Sequence, residues 1–251
     1  MENKDLIEYI TGISDNSMIL GQRLGELCGH GPNLETDIAL TNISLDLFGQ
    51  TRSYLQYAAK LKGGDTTEDD LAYLRKEHEY KNALLLEQPN TNFAYVIARQ
   101  FLFDVYHLLF LEQLCNSKDD QLRAIANKSI KEVKYHVRFS GDWVKRLGDG
   151  TPESHEKMQE AIDRLWPFTN EFFEATGVED SAANSGVGVV LKDLKTGYFR
   201  QVIQLLTEAT LTYPEQVYYL SGGKEGRHSE HMGFILADFQ YMQRTYPNMT
   251  W

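Results

Sequence analysis

The residues of this chain best suited to chemistry are carboxylates and imidazoles set at helical spacing. Asp104 and His107 lie three residues apart in the stretch FAYVIARQFLFDVYHLLFLEQLC, residues 93–115. Gln100, Asp104 and His107 fall at i, i+4 and i+7, which is one face of a helix. Carboxylate-x-x-His is the spacing with which di-iron four-helix bundles present an acid and an imidazole to the metal. Glu132 and His136 form a second acid–imidazole pair, four residues apart. Asp46-x-x-Gly49 offers a third carboxylate whose histidine position is filled by glycine. The plainer reading of the same residues is a hydrogen-bonded polar pair in a helical core, because acid-x-x-His is short enough to arise by chance.

A di-iron carboxylate site takes six side chains from four helices, with carboxylates bridging two hard ions and one imidazole on each. The inventory falls short of that. The first helix offers Asp15, Asn16 and Ser17 where a glutamate is wanted. If His136 is a ligand at the usual spacing, its carboxylate position is Val133; if Glu132 is the ligand, its histidine position is Tyr135. Asp46, Asp104, His107, Glu132 and His136 therefore read as a vestigial polar cluster without metal, with Arg52, Arg99 and Lys134 within helical reach to neutralise it.

The elements that would position these residues are long helices. Residues 6–28 carry an apolar stripe. Gly29-His30-Gly31-Pro32 then stops the helix, with Asn33 as the N-cap of a second one over 34–61. The polar connection 66–88 holds a short helix near 68–79, and Pro89-Asn90-Thr91-Asn92 opens the apolar helix 93–115. A turn at 116–118 leads into the helix 119–147. The two hairpins, 6–61 and 93–147, predict an all-α four-helix bundle as the core of a single domain spanning 1–251. Peripheral helices follow over 152–175, 193–212 and 226–246, with 177–190 a surface loop. Taking each hairpin as symmetric about its turn sets Asp46 against Asn16 or Ser17, and Asp104 against Glu132 and Val133.

The chain has 36 acidic and 25 basic residues, a formal charge of −11, which argues against binding nucleic acid or an anionic membrane. No run of 18 apolar residues marks a transmembrane span, and the start MENKDLIEYI lacks an apolar signal core. Cys28 and Cys115 read as reduced core thiols of a cytoplasmic protein. His228 and His231, three apart with Glu230 between them, could bind a metal, but with no fourth ligand evident they read as a polar helix start. Ser221–Gly226 reads as a flexible turn, with a backbone phosphate cradle as its functional alternative. Trp143, Trp166, Tyr218, Tyr219 and Trp251 are expected to be core or interface aromatics.

Long pieces of the chain resemble one family: Leu24–His30, Ile43–Gln50, Glu87–Asn90, Ile130–His136 and Gly222–His231, in that order along almost the whole length. The chain resembles the C-subunit family of the multicomponent phenylacetyl-CoA epoxidase, the ring 1,2-phenylacetyl-CoA monooxygenase of phenylacetate degradation. The resemblance implies a ferritin-like fold that has lost its metal. It implies a catalytic A subunit holding the di-iron centre and the coenzyme A substrate, and a small B subunit. It also implies a separate flavin (FAD) and iron–sulfur reductase fed by NADPH. No catalytic residue and no cofactor is carried over to this chain, whose expected role is to pair with and stabilise the catalytic subunit, or a second like bundle. Two other functions stay open on the residues alone. One is a self-sufficient di-iron or mononuclear enzyme built on the five-residue cluster. The other is a helical module binding an acyl-CoA near the Ser221–Gly226 loop.

Overall fold

The computed structural model describes residues 1–247 and 249; Trp251 lies outside the described residues. Among these, all regular structure is helical and there is no strand. The long and short helices are α1 Asn3–Gly25, α2 Leu34–Lys62, α3 Glu68–Tyr73, α4 Phe93–Leu114, α5 Asp120–Gly148, α6 Pro152–Leu165, α7 Gly177–Ser185, α8 Leu191–Glu208, α9 Glu230–Phe239 and α10 Tyr241–Thr245. Two compact units emerge, Met1–Pro89 with Gly222–Trp251, and Asn90–Ser221.

The first unit is built on the α1–α2 hairpin. Asn33 caps α2 by accepting from the Thr36 N–H at 2.9 Å, and Glu35 and Asp37 stand in the first turn, where the helix dipole favours acids. Asp37 also accepts from the Gly29 and Gly31 N–H groups at 3.0 and 3.2 Å, which organises the connection. Gly29 takes a φ of +83°, open to glycine at no steric penalty. The register differs from the symmetric expectation. Ser44 Oγ donates to the Gly21 carbonyl at 2.7 Å and Ser14 Oγ to that of Thr51 at 3.4 Å. Asp46 thus lies toward Ile19, about a turn from Asn16 and Ser17. Cys28 falls beyond the end of α1 and is exposed, and Cys115 is half-exposed at the end of α4, so neither is a core thiol.

In the second unit α4 packs against α5, α6 and α8. Asn92 and Asp119 cap α4 and α5, accepting from the N–H groups of Tyr95 and Leu122, each at 2.9 Å. The α4 helix is long and apolar enough to cross a membrane, yet 89% of that stretch is buried inside the protein, as a core helix requires. The connection before α5 is pinned sideways: Lys118 N–H donates to the Gly186 carbonyl at 3.0 Å and Ser117 Oγ to that of Val187 at 2.6 Å. The α4–α5 hairpin is therefore not symmetric about residue 118, and Ser140, not Glu132 or Val133, stands against Asp104. Gly141 leaves no Cβ in the way of Leu205 of α8, which would sit 2.9 Å from it.

Three expected elements differ. Pro167 has no N–H to donate and its ring crowds the preceding turn, so α6 stops at Leu165 and Trp166–Phe173 continues as a 3-10 helix. Residues 177–185 are a helix, not a loop. A Thr176–Glu179 capping box starts it and Gly186, in the left-handed region at φ +77°, ends it. The helix expected over 226–246 begins only at Glu230 and is interrupted at Gln240. Aromatic rings fill the space beside α4, with Tyr106 stacked on Phe172 at 4.4 Å and Phe173 edge-on to Tyr198 at 5.2 Å.

Candidate functional site

The polar face of α4 is buried throughout: Arg99, Gln100, Asp104 and His107 are each 3% exposed or less. Asp104 Oδ1 accepts from Gln100 Nε2 at 2.6 Å, and Oδ2 is 2.8 Å from Ser140 Oγ on α5. The same hydroxyl lies 2.9 Å from the His136 carbonyl. A serine has one hydrogen, so it cannot donate to both oxygens. A protonated Asp104 resolves this by donating to Ser140, which then donates to His136. Burial does favour that form: it pushes the Asp104 carboxyl up to about 6, against the partial relief of the nearby His136 ring and of Ser140 and Gln100. Burial, reinforced by His136, pulls His107 down to about 3, so its imidazole is neutral. The His107 ring packs on Phe103 at 4.9 Å, and its Nδ1 has no hydrogen-bond partner among the described residues.

Asp104, His107 and His136 are thus neighbours in the second unit. Glu132 is half-buried a turn before His136 on α5, and Asp46 is a half-buried residue of α2 in the first unit. The cations expected to neutralise the cluster are engaged or placed elsewhere. Arg99 Nη2 donates to Asn90 Oδ1 at 2.7 Å, Lys134 is exposed, and Arg52 is an exposed partner of Glu68 at 3.5 Å. The acid is accommodated by its hydrogen bonds to Gln100 and Ser140 instead, and burial raises its affinity for a proton.

These donors do not fit two irons. Both oxygens of Asp104 are engaged by neutral side chains, the residue facing it is a serine, and Gly49 has no side chain to offer. Among the described residues no three His, Cys, Asp or Glu side chains converge as a metal site needs. Asp15, a candidate acid on the first helix, is fully buried in a different task. It pairs with Arg75 through both oxygens and accepts from the Lys81 N–H at 2.8 Å. Asn16 accepts from the Ala83 N–H at 2.9 Å. Together they fasten the 79–83 segment to α1. The Arg75 guanidinium also lies 4.1 Å over the Tyr80 ring. Burial pushes the Tyr80 hydroxyl up to about 12.

A second buried network has no counterpart in the sequence reading. Glu87, fully buried, accepts from Asn82 Nδ2 at 3.0 Å, His228 Nδ1 at 2.5 Å, and the Ser229 N–H and Oγ at 2.8 and 2.6 Å. The Gly222–His231 motif, which carries much of the resemblance, is here a docking device. At Gly223 a Cβ would stand 2.3 Å from the Asn82 carbonyl oxygen, and at Gly226 (φ +86°) 2.2 Å from that of His78. The N–H groups of Glu225, Gly226 and Arg227 donate to carbonyls within the turn, so they form no open phosphate cradle. His228 precedes α9 rather than starting it. Trp166 is buried as expected, Trp143 is half-buried edge-on to Phe93, and Tyr218 is 86% exposed, not core.

Long antiparallel helices around a closed acid–imidazole core define an all-helical protein whose polar centre is satisfied by its own side chains. The chain belongs to the family described as "Phenylacetic acid catabolic protein", which matches residues 1–251. It is 47% identical over 246 residues to the C subunit of the 1,2-phenylacetyl-CoA epoxidase of Escherichia coli (strain K12), an alignment covering 98% of this chain and 99% of that relative. The family expected from the sequence motifs is the family found.

Proposed function

We propose that this chain is the non-catalytic C subunit of a cytoplasmic phenylacetyl-CoA epoxidase, serving phenylacetate catabolism by holding the di-iron catalytic subunit in its working form. The observation that carries the reading is the closed core: Gln100 and Ser140 occupy both oxygens of the best candidate ligand, Asp104. The similarity to the C subunit of an epoxidase over nearly the full length of both chains supports the assignment to that complex. The reading includes a single ferritin-like domain whose helical faces serve packing against the other subunits, as duplicated bundles do. The iron, the coenzyme A ester and the electrons from NADPH through flavin and iron–sulfur centres are then handled by the partner chains.

The test is reconstitution. With the reductase present, the chain alone is expected to leave phenylacetyl-CoA unchanged. When both are co-expressed, the catalytic subunit is expected to be soluble, to co-elute with this chain and to turn over. Turnover by this chain alone, or full activity and solubility of the catalytic subunit without it, would overturn the proposal.

A further inference from the structure

The segment after Gly222 returns to the first unit and is fastened at its start through His228 and Ser229, and at its end through Gln240, which donates to the Arg75 carbonyl at 2.8 Å and the Tyr80 hydroxyl at 2.6 Å. His228 has both ring nitrogens engaged with acceptors: Nδ1 with Glu87 Oε1 at 2.5 Å and Nε2 with the Tyr80 carbonyl at 3.0 Å. A carbonyl oxygen can only accept, and neutral imidazole carries one N–H. The side chains of His228 and Glu87 are both fully buried, and water cannot replace a lost hydrogen there. We infer that the start of the C-terminal segment of the first unit is held by a proton: His228 docks it as an imidazolium between Glu87 and the Tyr80 carbonyl, and loss of that proton loosens the segment there.

The charged surroundings favour the proton. Glu87, on the 3-10 turn Leu84–Glu87, is the direct partner, and Glu77, on the turn Glu77–Glu79, adds its negative charge. Of the cations near this junction, Arg23 of α1 donates to the Glu87 carbonyl at 2.6 Å and Lys81 Nζ to that of His78 at 3.1 Å, while Lys224 is buried in the turn Gly223–Glu225. His78 enters through that carbonyl. On the segment itself, Arg227 pairs with Glu225, while Glu230 and His231 begin α9. Burial pulls His228 down, but the Glu87 hydrogen bond and charge more than offset it, and the net shift is upward. A base whose folded pKa is raised stabilises fully below its unfolded value and loses that contribution as pH rises to the folded value. The proton also has a structural consequence. Asp238, Phe239, Met242 and Gln243 form one wall of a cleft of about 630 Å³ whose other wall includes Met18 and Phe48. Loosening at His228 bears on that wall through α9, whose far end stays bonded to Arg75 and Tyr80 through Gln240.

The full chain supplies the test without substitution. Nitrogen-15 spectra of the histidine rings are expected to show His228 protonated on both nitrogens at pH 7, titrating above the ordinary range. Hydrogen–deuterium exchange of residues 230–239, corrected for intrinsic rates, is expected to rise on the order of tenfold per pH unit between the unfolded and folded pKa values. Glu87→Gln is expected to lower the midpoint of both signals, whereas Ser229→Ala loosens the segment without moving the midpoint. A His228 that is neutral at pH 7, or α9 exchange that shows no break across its titration, overturns the inference. If Glu87→Gln fails to fold, those two wild-type signals decide alone.

Discussion

Asp104 and His107 stand one turn apart on α4 and answer pH in opposite ways. Asp104 binds its proton more tightly when folded, so its contribution falls as pH rises from the ordinary carboxylate value to about 6. Asp104→Asn mimics the protonated acid, with an amide N–H for Ser140 and an oxygen for Gln100. Denaturant midpoints at pH 7.5 should show it as stable as the parent or more so, by up to roughly 3 kcal/mol from the two-unit shift. Asp104→Ala should instead lose about 2–3 kcal/mol, because Gln100 is left without its acceptor and a cavity opens. His107 is the reverse case. Its folded pKa is depressed, so stability is lost as pH falls from about 6.5 toward about 3, at up to roughly 1.4 kcal/mol per pH unit. His107→Phe keeps the packing on Phe103 and should flatten the acid limb of a pH–stability curve. An unchanged limb would place the acid lability elsewhere.

At the scale of elements, two glycines separate loss from gain. Gly49 lies exposed in the interior of α2, and a Cβ added there would meet nothing within 4 Å, so Gly49→Ala should stabilise by about 0.5–1 kcal/mol. Gly223→Ala drives a methyl into the Asn82 carbonyl and should destabilise by about 2 kcal/mol or more, read in the same denaturation series. The long helices are legible in the sequence because their signals are local. Asn33, Asn92 and Asp119 cap within three residues, and the apolar stripes repeat at helical spacing. The helix Gly177–Ser185 is hidden by its Gly/Ser/Ala composition, although the Thr176–Glu179 box that starts it is a local signal too. The facing of Asp104 by Ser140 is not legible, since hairpin symmetry ignores where a turn is pinned. Nor are the charged networks of the first unit: Arg75 meets Asp15 across 60 residues and His228 meets Glu87 across 141, and spacing along the chain carries no trace of either pairing.

For the whole molecule, the role proposed for the chain is a supporting part in an oxygenase, with the chemistry in another subunit. Helical spacing alone brings Gln100, Asp104 and His107 to one face of α4. What spacing does not convey is that Gln100 and Ser140 are the partners of Asp104. The direct measurement is anaerobic titration of the purified full chain with ferrous iron, with bound iron counted after desalting and the iron absorption followed on exposure to oxygen. No iron retained above background and no oxygen-dependent band are expected. About two irons per chain, the complement of a di-iron carboxylate bundle, with such a band would contradict the proposed role.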